Sequence, residues 1–336
     1  MKSPSFIQFY PTLRCNQNCC FCFNRGIPNP SPYGDMTYRE GKRLLALMKE
    51  SVIEELDILG GEPLLVSWIP GFVREATDSG ISVNISTNGS LPDVIADLLK
   101  IETNLLNIGF SIHGLPETHD MLSGADNFPK AVTGVRSVIE KGEKPVVKSV
   151  LTRRNMDRIH DLVLYLAGLG VTRYYLLYED TIGRRGMNGC LSFPEFHAFY
   201  AKLRGKVEGA MDIGFVAASG FHKHNAGRDG VCDAGGTKIA LLPDGSAFPC
   251  NLFFGFDEFR LGNIFADGIE RIWHSPVLDV FRKMRRKRCG REDCRHHPTC
   301  SGGCPAHSYF FYGTIEKPDP RCMNFNPNIA IRDSIA

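Results

Sequence analysis

No stretch of about 18 apolar residues occurs anywhere in the 336-residue chain, so no segment reads as a membrane-spanning helix. The first 14 residues hold no apolar run behind a basic start, which excludes a conventional secretory signal there. A surplus of charge is missing too. Lys and Arg number 39 against 37 Asp and Glu, and a net charge of +2 gives no reason to expect nucleic acid or a membrane as the main partner. The one dense basic run, Arg282 to Arg291, holds seven Lys or Arg in ten positions and reads as a solvated helix face. Internal repeats and low-complexity tracts do not stand out. With 43% hydrophobic and 23% charged residues the chain is long enough for one large core or two modest ones.

What the chain does have is cysteine, twelve in all. That many would suggest disulfides in a secreted protein, but without a signal segment they are expected to serve metal in a cytoplasmic one. Residues 5 to 178 alternate between strand and helix patterns, the signature of parallel βα units. Strands are predicted at Phe6 to Tyr10, Leu56 to Leu59, Ser82 to Ser86, Leu105 to Ile112, Pro145 to Leu151 and Arg173 to Tyr178. Amphipathic helices are predicted at Tyr38 to Lys49, Ile69 to Ser79, Pro92 to Leu99, Phe128 to Lys141 and Met156 to Leu169. Six such units give an α/β fold, a partial (β/α)6 barrel of TIM type, with functional residues expected at the carboxyl ends of the strands. The pattern breaks around Thr181 to Pro194 in a Gly- and Arg-rich loop, followed by one more helix. A boundary is expected near residue 210, dividing a barrel domain, 1–210, from a small Cys-rich α+β domain, 211–336.

Cys15, Cys19 and Cys22 stand as C-x3-C-x2-C at the end of the first predicted strand. Three thiolates on one short loop can hold three irons of a four-iron four-sulfur cluster and leave the fourth iron without a protein ligand. Zinc is the competing metal, but structural zinc wants four ligands, and neither Cys nor His follows within the next fifty residues. Cys20 falls outside the spacing and reads as a small packed side chain. Gly60-Gly61-Glu62-Pro63 follows the second strand, where glycines let backbone approach a ligand and a carboxylate can meet a cation; the plainer reading is a turn capped by Glu62. Ser86-Thr87-Asn88-Gly89 closes the third strand with short polar groups suited to sugar hydroxyls, and equally suits an ordinary turn. Ser111-Ile112-His113-Gly114 ends the fourth. There His113 is a candidate acid or base at the barrel mouth, or a satisfied structural histidine.

In this order, these segments resemble the radical S-adenosylmethionine (SAM) superfamily. The resemblance implies that the open iron is chelated by the amino and carboxylate groups of SAM, and that reductive cleavage yields methionine and a 5′-deoxyadenosyl radical. It further implies that Gly60, Gly61, Glu62 and Pro63 contact the SAM amino group, that Ser86 and Asn88 contact the ribose, and that Ser111 helps hold the carboxylate. Phe21, between the last two ligand cysteines, would stack near the adenine, and Lys130 would pair with the SAM carboxylate. His113 departs from the pattern, which often has Asp there.

Seven more cysteines lie at 232, 250, 289, 294, 300, 304 and 322. Gly245-x4-Cys250, Cys294-x5-Cys300-x3-Cys304 and the distant Cys322 resemble the SPASM domain, an extension that carries auxiliary iron-sulfur clusters. Leu261-Gly262-Asn263-Ile264, Ile272-Trp273, Phe281-Arg282 and Gly302-Gly303 around them fit it as well. Cys289-x4-Cys294 departs from the usual C-x2-C. If the interleaved pattern holds, the resemblance implies an outer cluster on Cys289, Cys294, Cys300 and Cys322, and an inner one on Cys232, Cys250 and Cys304, with an open iron. Zinc remains the alternative, because His296 and His297 could complete two four-ligand sites. Cys190 lies outside both fields and reads either as a hydrogen-atom donor to a substrate radical or as an inert packing residue.

Auxiliary clusters suggest chemistry in which an electron leaves a substrate radical. SPASM-type enzymes act largely on ribosomally made peptides, so the resemblance implies a peptide maturase that forms cross-links or oxidises a side chain. Oxidation or rearrangement of a small molecule, such as a sugar or tetrapyrrole precursor, is the second reading, and a non-catalytic zinc-stabilised scaffold the third. Expected partners are a flavodoxin or ferredoxin as electron donor and, since strand one starts near residue 6, a peptide-binding module that is separate or absent. Sulfatase-maturing relatives carry Asp directly after the Cys of the G-x4-C segment. Here Asn251 follows, and an amide cannot accept that proton.

Overall fold

The structure, a computed structural model, describes residues 3–27, 34–182, 189–221, 232–284 and 292–322. Cys289 and most of the Arg282–Arg291 run lie outside the described residues. All six expected strands are present as β1 (Phe6–Phe9), β2 (Glu55–Ile58), β3 (Ser82–Thr87), β4 (Leu106–Ser111), β5 (Val146–Leu151) and β6 (Arg173–Tyr178). They pair in parallel in chain order, as strands joined by helical crossovers do.

The sheet does not stop at residue 210. β7 (Asp212–Val216) pairs in parallel with β6, and at the opposite edge β8 (Lys238–Leu241) pairs in parallel with β1. β9 (Ser246–Phe248) and β10 (Gly262–Asn263) extend that edge antiparallel, so ten strands form one sheet across the expected boundary.

Alternation along the strands decides which face is core. In β3, β5 and β6 each half-buried residue is followed by a buried one. The buried set, Ile7, Phe9, Leu56, Ile58, Val83 and Phe110 among it, joins one apolar cluster with side chains of the surrounding helices. These helices are α1 (Tyr38–Glu50), α2 (Ile69–Asp78), α3 (Pro92–Leu98), α4 (Pro116–Ser123), α5 (Phe128–Glu140), α6 (Ile159–Gly168) and α7 (Phe193–Lys206). The half-buried set mixes polar side chains, such as Asn84, Ser86 and Lys148, with apolar ones such as Val150 and Leu177. Asn84 donates to Asp57 at 2.9 Å, and Lys148 to Ser86 at 2.9 Å. Polar groups therefore share the concave side of the sheet.

Local chemistry fixes the helix ends. Thr37 with Glu40, and Ser192 with Glu195, form capping boxes at the starts of α1 and α7. The helix expected from Met156 begins only at Ile159, because Asn155 accepts from the Thr152 amide at 2.8 Å and holds residues 152–158 in turns. α4 was not expected. At eight residues it is too short for a periodic signal, yet Pro116 opens it and Gly124, at φ 65°, closes it.

Beyond β8 lie α8 (Ile264–Trp273), α9 (Pro276–Arg282) and α10 (Pro305–Tyr312). A second apolar cluster there, rich in Phe and including Phe253, Phe254, Phe281 and Phe310, reaches back to Tyr10 at the end of β1.

Candidate functional site

The loop after β1 carries Cys15, Cys19 and Cys22, and three neighbours hold it. The amides of Asn18 and Cys20 donate to the carbonyls of Ser123 and Leu122, at 2.8 and 3.0 Å, so the unexpected α4 is the seat of the loop. Arg25 donates to the Gln17 carbonyl at 2.6 Å and closes the loop on itself. Asn24 donates to the Gly60 carbonyl at 2.8 Å, tying it to the end of β2. Cys15 is exposed and Cys19 and Cys22 are half-buried. Cys20 is exposed rather than packed, because its backbone is spent on Leu122 and its side chain turns outward.

The Gly60-Gly61 pair serves close backbone approach. A Cβ at Gly61 would lie 2.0 Å from the Arg14 carbonyl oxygen, and one at Gly60, where φ is +139°, 2.6 Å from that of Thr12. The amides of Gly61 and Glu62 donate to the same carbonyls, at 3.0 and 2.8 Å, and zip this segment onto the stem of the Cys loop. Gly61→Ala is therefore expected to displace the loop and lower iron by about four per chain, leaving the auxiliary irons in place. Iron and sulfide analysis checks it, and a full iron complement in that variant would show that the stem tolerates the side chain.

Glu62 is buried at 1% exposure and points along the strand ends. Its carboxylate accepts from the Leu64 amide (3.1 Å), the Thr87 hydroxyl (2.8 Å) and the Asn88 amide (2.7 Å). Burial pushes it up to about 7 against the pull of those donors. Pro63 is buried and opens the short helical turn 63–65 that Glu62 caps. Asn88 carries the brace onward: its amide donates to Asn16 Oδ1 at 2.8 Å and stands 3.9 Å from Cys15 Sγ. Ser86 accepts from Lys148, and Ser111 is half-buried opposite Lys148 in the strand register. Lys130 is exposed on the first turn of α5.

His113 is buried. Its Nδ1 accepts from the Val150 amide at 3.3 Å, its ring meets Phe21 edge-on at 4.7 Å, and it stacks on His119 at 5.7 Å. Burial pushes it down to about 3, so it stays neutral and supports the Phe21 ring.

In the second field, Cys232, Cys250 and Cys304 belong to the Phe-rich cluster, and each is close enough for its charge to act on another. Cys300 and Cys322 pack against the main core instead. The structure thus brings together the three cysteines of the inner set and separates two of the outer set from them. Cys294 is half-buried and Cys289 lies outside the described residues. Cys190 is half-buried, its Sγ 3.3 Å from the Leu191 carbonyl, with burial pushing the thiol up to about 12.

The spread of the sulfurs tests the metal. Four thiolates around one zinc at about 2.3 Å stand about 3.8 Å apart. Among the described residues, the metal-ligating groups that converge within 4.8 Å are Cys304, His307 and Asp319, and neither cysteine triplet is so tight. Yet in each triplet the sulfurs feel one another's charge. As placed, neither triplet converges as one tetrahedral ion would require, whereas three thiols near one another on each site suit the three-cysteine ligation of an iron-sulfur cluster.

Two residues missed in the sequence join the sites. Tyr10, buried at the end of β1, has Cys22, Cys250 and Asp180 near enough for their charges to act on it, and its hydroxyl accepts from Asn251 at 2.8 Å. Arg321, buried, ties the end of β6 to the C-terminal cysteines. A groove of about 760 Å3 between Leu98, Lys141 and Arg173 lies at the opposite ends of the strands and holds none of these groups.

Residues 9–166 match the model of the radical SAM superfamily, and residues 232–304 match that of SPASM, an iron-sulfur cluster-binding domain. The chain belongs to the radical SAM superfamily and carries a SPASM domain. It is therefore a SAM-dependent enzyme whose cofactors are [4Fe–4S] clusters and SAM. Mycofactocin maturase MftC of Mycobacterium tuberculosis is 26% identical over 346 residues, 96% of this chain and 84% of that protein. The AdoMet-dependent heme synthase of Methanosarcina barkeri is 27% identical, covering 96% and 97%. In structure, Streptococcus suis SuiB bound to S-adenosylmethionine superposes with TM-score 0.79 at 19% identity over 96% of this chain and 78% of SuiB, a likeness of fold. Among the described residues no helix is long and apolar enough to cross a membrane.

Proposed function

We propose that this enzyme matures a ribosomally made peptide, forming a cross-link or oxidising a side chain. The observation that carries the reading is that one fold holds two cysteine triplets, with Tyr10 near enough to both for Cys22 and Cys250 to act on its hydroxyl, so the chain offers one site for an electron source and another for an electron acceptor. When bound, the loop cluster supplies the electron for SAM cleavage and the auxiliary clusters take one from the substrate. The chain's own groups have separate tasks. Cys15, Cys19 and Cys22 hold the loop cluster, while Glu62, braced by Thr87 and Asn88, keeps the strand ends in register around it. Phe21, set by His113, walls the site. Cys232, Cys250 and Cys304 hold the inner auxiliary cluster, and Cys289, Cys294, Cys300 and Cys322 the outer. Asn251 is engaged with Tyr10, which speaks against the sulfatase-maturing chemistry that needs a base there.

The maturase names among the relatives support a peptide substrate: besides MftC, the subtilosin biosynthesis protein AlbA of Bacillus subtilis is 25% identical over 310 residues. We place the enzyme in the cytoplasm, reduced by a flavodoxin or ferredoxin and presented with substrate by a separate peptide-binding protein. A tetrapyrrole-type small molecule is the second reading, favoured by the heme synthase that matches across 97% of its own length.

Anaerobically reconstituted enzyme should hold about twelve irons per chain and, with SAM and dithionite, release 5′-deoxyadenosine. Addition of a candidate ribosomally made precursor peptide should raise that release and change the peptide mass. Stimulation by a haem precursor and not by the peptide would replace the first reading with the second.

A further inference from the structure

Lys148, the third residue of β5, faces the concave side of the sheet and is half-buried there. Its side chain lies across β4 instead of rising towards solvent. A Cβ on Gly109 would stand 2.8 Å from its Cε and 3.0 Å from its Nζ, which donates to the Ser86 hydroxyl of β3 at 2.9 Å. The missing side chain at Gly109 is therefore the seat of this lysine.

An ammonium carries three donors, and among the described residues Ser86 takes one. Asp57, the carboxylate whose charge acts on Lys148, is itself engaged by Asn84 at 2.9 Å, and among the described residues no ion pair joins the two. Keeping a half-buried cation on one neutral acceptor is costly, and an incoming anion relieves that cost. The wall around it narrows which anion. Two remaining protons match the two oxygens of one carboxylate. A phosphate, with three oxygens and nearly two charges, needs more donors than this wall supplies, since Asp57 and Glu55 share the face. The carboxylate of SAM is committed to the open iron of the loop cluster, which leaves the substrate as the source.

We infer that Lys148 anchors a carboxylate of the substrate, an acidic side chain or a chain terminus, and so sets which part of the substrate comes to the strand ends. This rests on the reading above that a substrate is turned over at those ends. The first test needs no identified substrate. The full chain, anaerobically reconstituted and loaded with SAM, is isotopically labelled at lysine Cε and titrated with glutarate by NMR, the Lys148 signal being the one missing from Lys148→Met and from Lys148→Arg. That signal should move and saturate with glutarate and stay still with glutaramide, the uncharged diamide. No response to glutarate overturns the inference. So does a signal that moves on adding SAM and then ignores glutarate, because it gives Lys148 to the cofactor. In turnover, Lys148→Met should raise the KM for the candidate precursor peptide about tenfold or more, the loss of one charge-assisted hydrogen bond, and leave unchanged the KM for the same peptide with its carboxyls amidated. Equal KM values for the native peptide in parent and variant overturn the inference as well. A glutarate response beside a peptide that does not stimulate 5′-deoxyadenosine release strikes the peptide reading and keeps the carboxylate site.

Discussion

Replacing Cys15, Cys19 and Cys22 together by Ala abolishes 5′-deoxyadenosine formation while about eight irons per chain remain. The loss is expected to be complete because the electron that cleaves SAM has no other route. The inner set of the second field, Cys232, Cys250 and Cys304, belongs to a separate apolar cluster. Folding should survive, since the loop is held by its own amides on the Leu122 and Ser123 carbonyls and by the Asn24 side chain on the Gly60 carbonyl, bonds that no thiol makes. The burial that pushes Cys19 up to about 12, and its two partners in the same direction, keeps the three thiols neutral when no cluster is loaded, so Ala removes no buried charge from the metal-free fold. Product analysis by liquid chromatography alongside iron determination reads both halves. Residual cleavage in the triple variant would sink the assignment of SAM cleavage to this loop, and loss of all iron would mean that the C-terminal cysteines cannot load by themselves.

The six strands were legible because parallel βα units repeat a strong period, and the Cys, GGEP and STNG segments because they fall directly at strand ends. What escaped was whatever depends on distant partners. α4 gave no periodic signal, yet it seats the Cys loop through two carbonyls. Lys148 is an unremarkable strand residue until β4 is laid beside β5 and opens its path to Ser86 of β3. Arg321 sits in a Pro-rich tail whose purpose appears only when the end of β6 meets it. Glu62 shows a different shortfall. Its sequence reading offered a ligand contact or a cap, and the geometry adds a brace on Thr87 and Asn88, partners on another strand end that spacing along the chain does not reveal. The sequence spacing of Cys232, Cys250 and Cys304 likewise left iron and zinc open. Only the separation of their sulfurs speaks to that choice.

The metal-free fold should lose stability as pH drops below about 6.5, and His119 is a principal cause. His113 and His119 are buried neutral, pushed down to about 3 and about 4 by burial, and the Nε2 of His119 is buried. A histidine whose folded value lies below its unfolded one gives stability that is fully present above the unfolded value and is lost as pH falls towards the folded one, because the unfolded chain takes up the proton first. Glu62 acts with the opposite sign. Raised to about 7, it keeps its proton in the fold where the unfolded chain has released it, so its contribution falls as pH rises from about 4.5 to 7. Between about 6.5 and 4.5 these two imidazoles work against this one carboxyl, and the three together contribute a slope of about 1.4 kcal/mol per pH unit, steepening below 4.5 where Glu62 no longer opposes; His197 and His296, also lowered by burial, act in the imidazoles' sense, and Glu55, Asp57 and Asp180, raised by burial, in that of Glu62. His119→Asn keeps an acceptor for the His113 amide, which donates to His119 Nδ1 at 3.1 Å, and removes one titrating ring. At pH 5 the variant should be about 2 kcal/mol less acid-sensitive than the parent, measured as the fall in urea-unfolding free energy from pH 7.5. Equal falls in both proteins would mean that His119 is hydrated in solution and that another group drives acid unfolding.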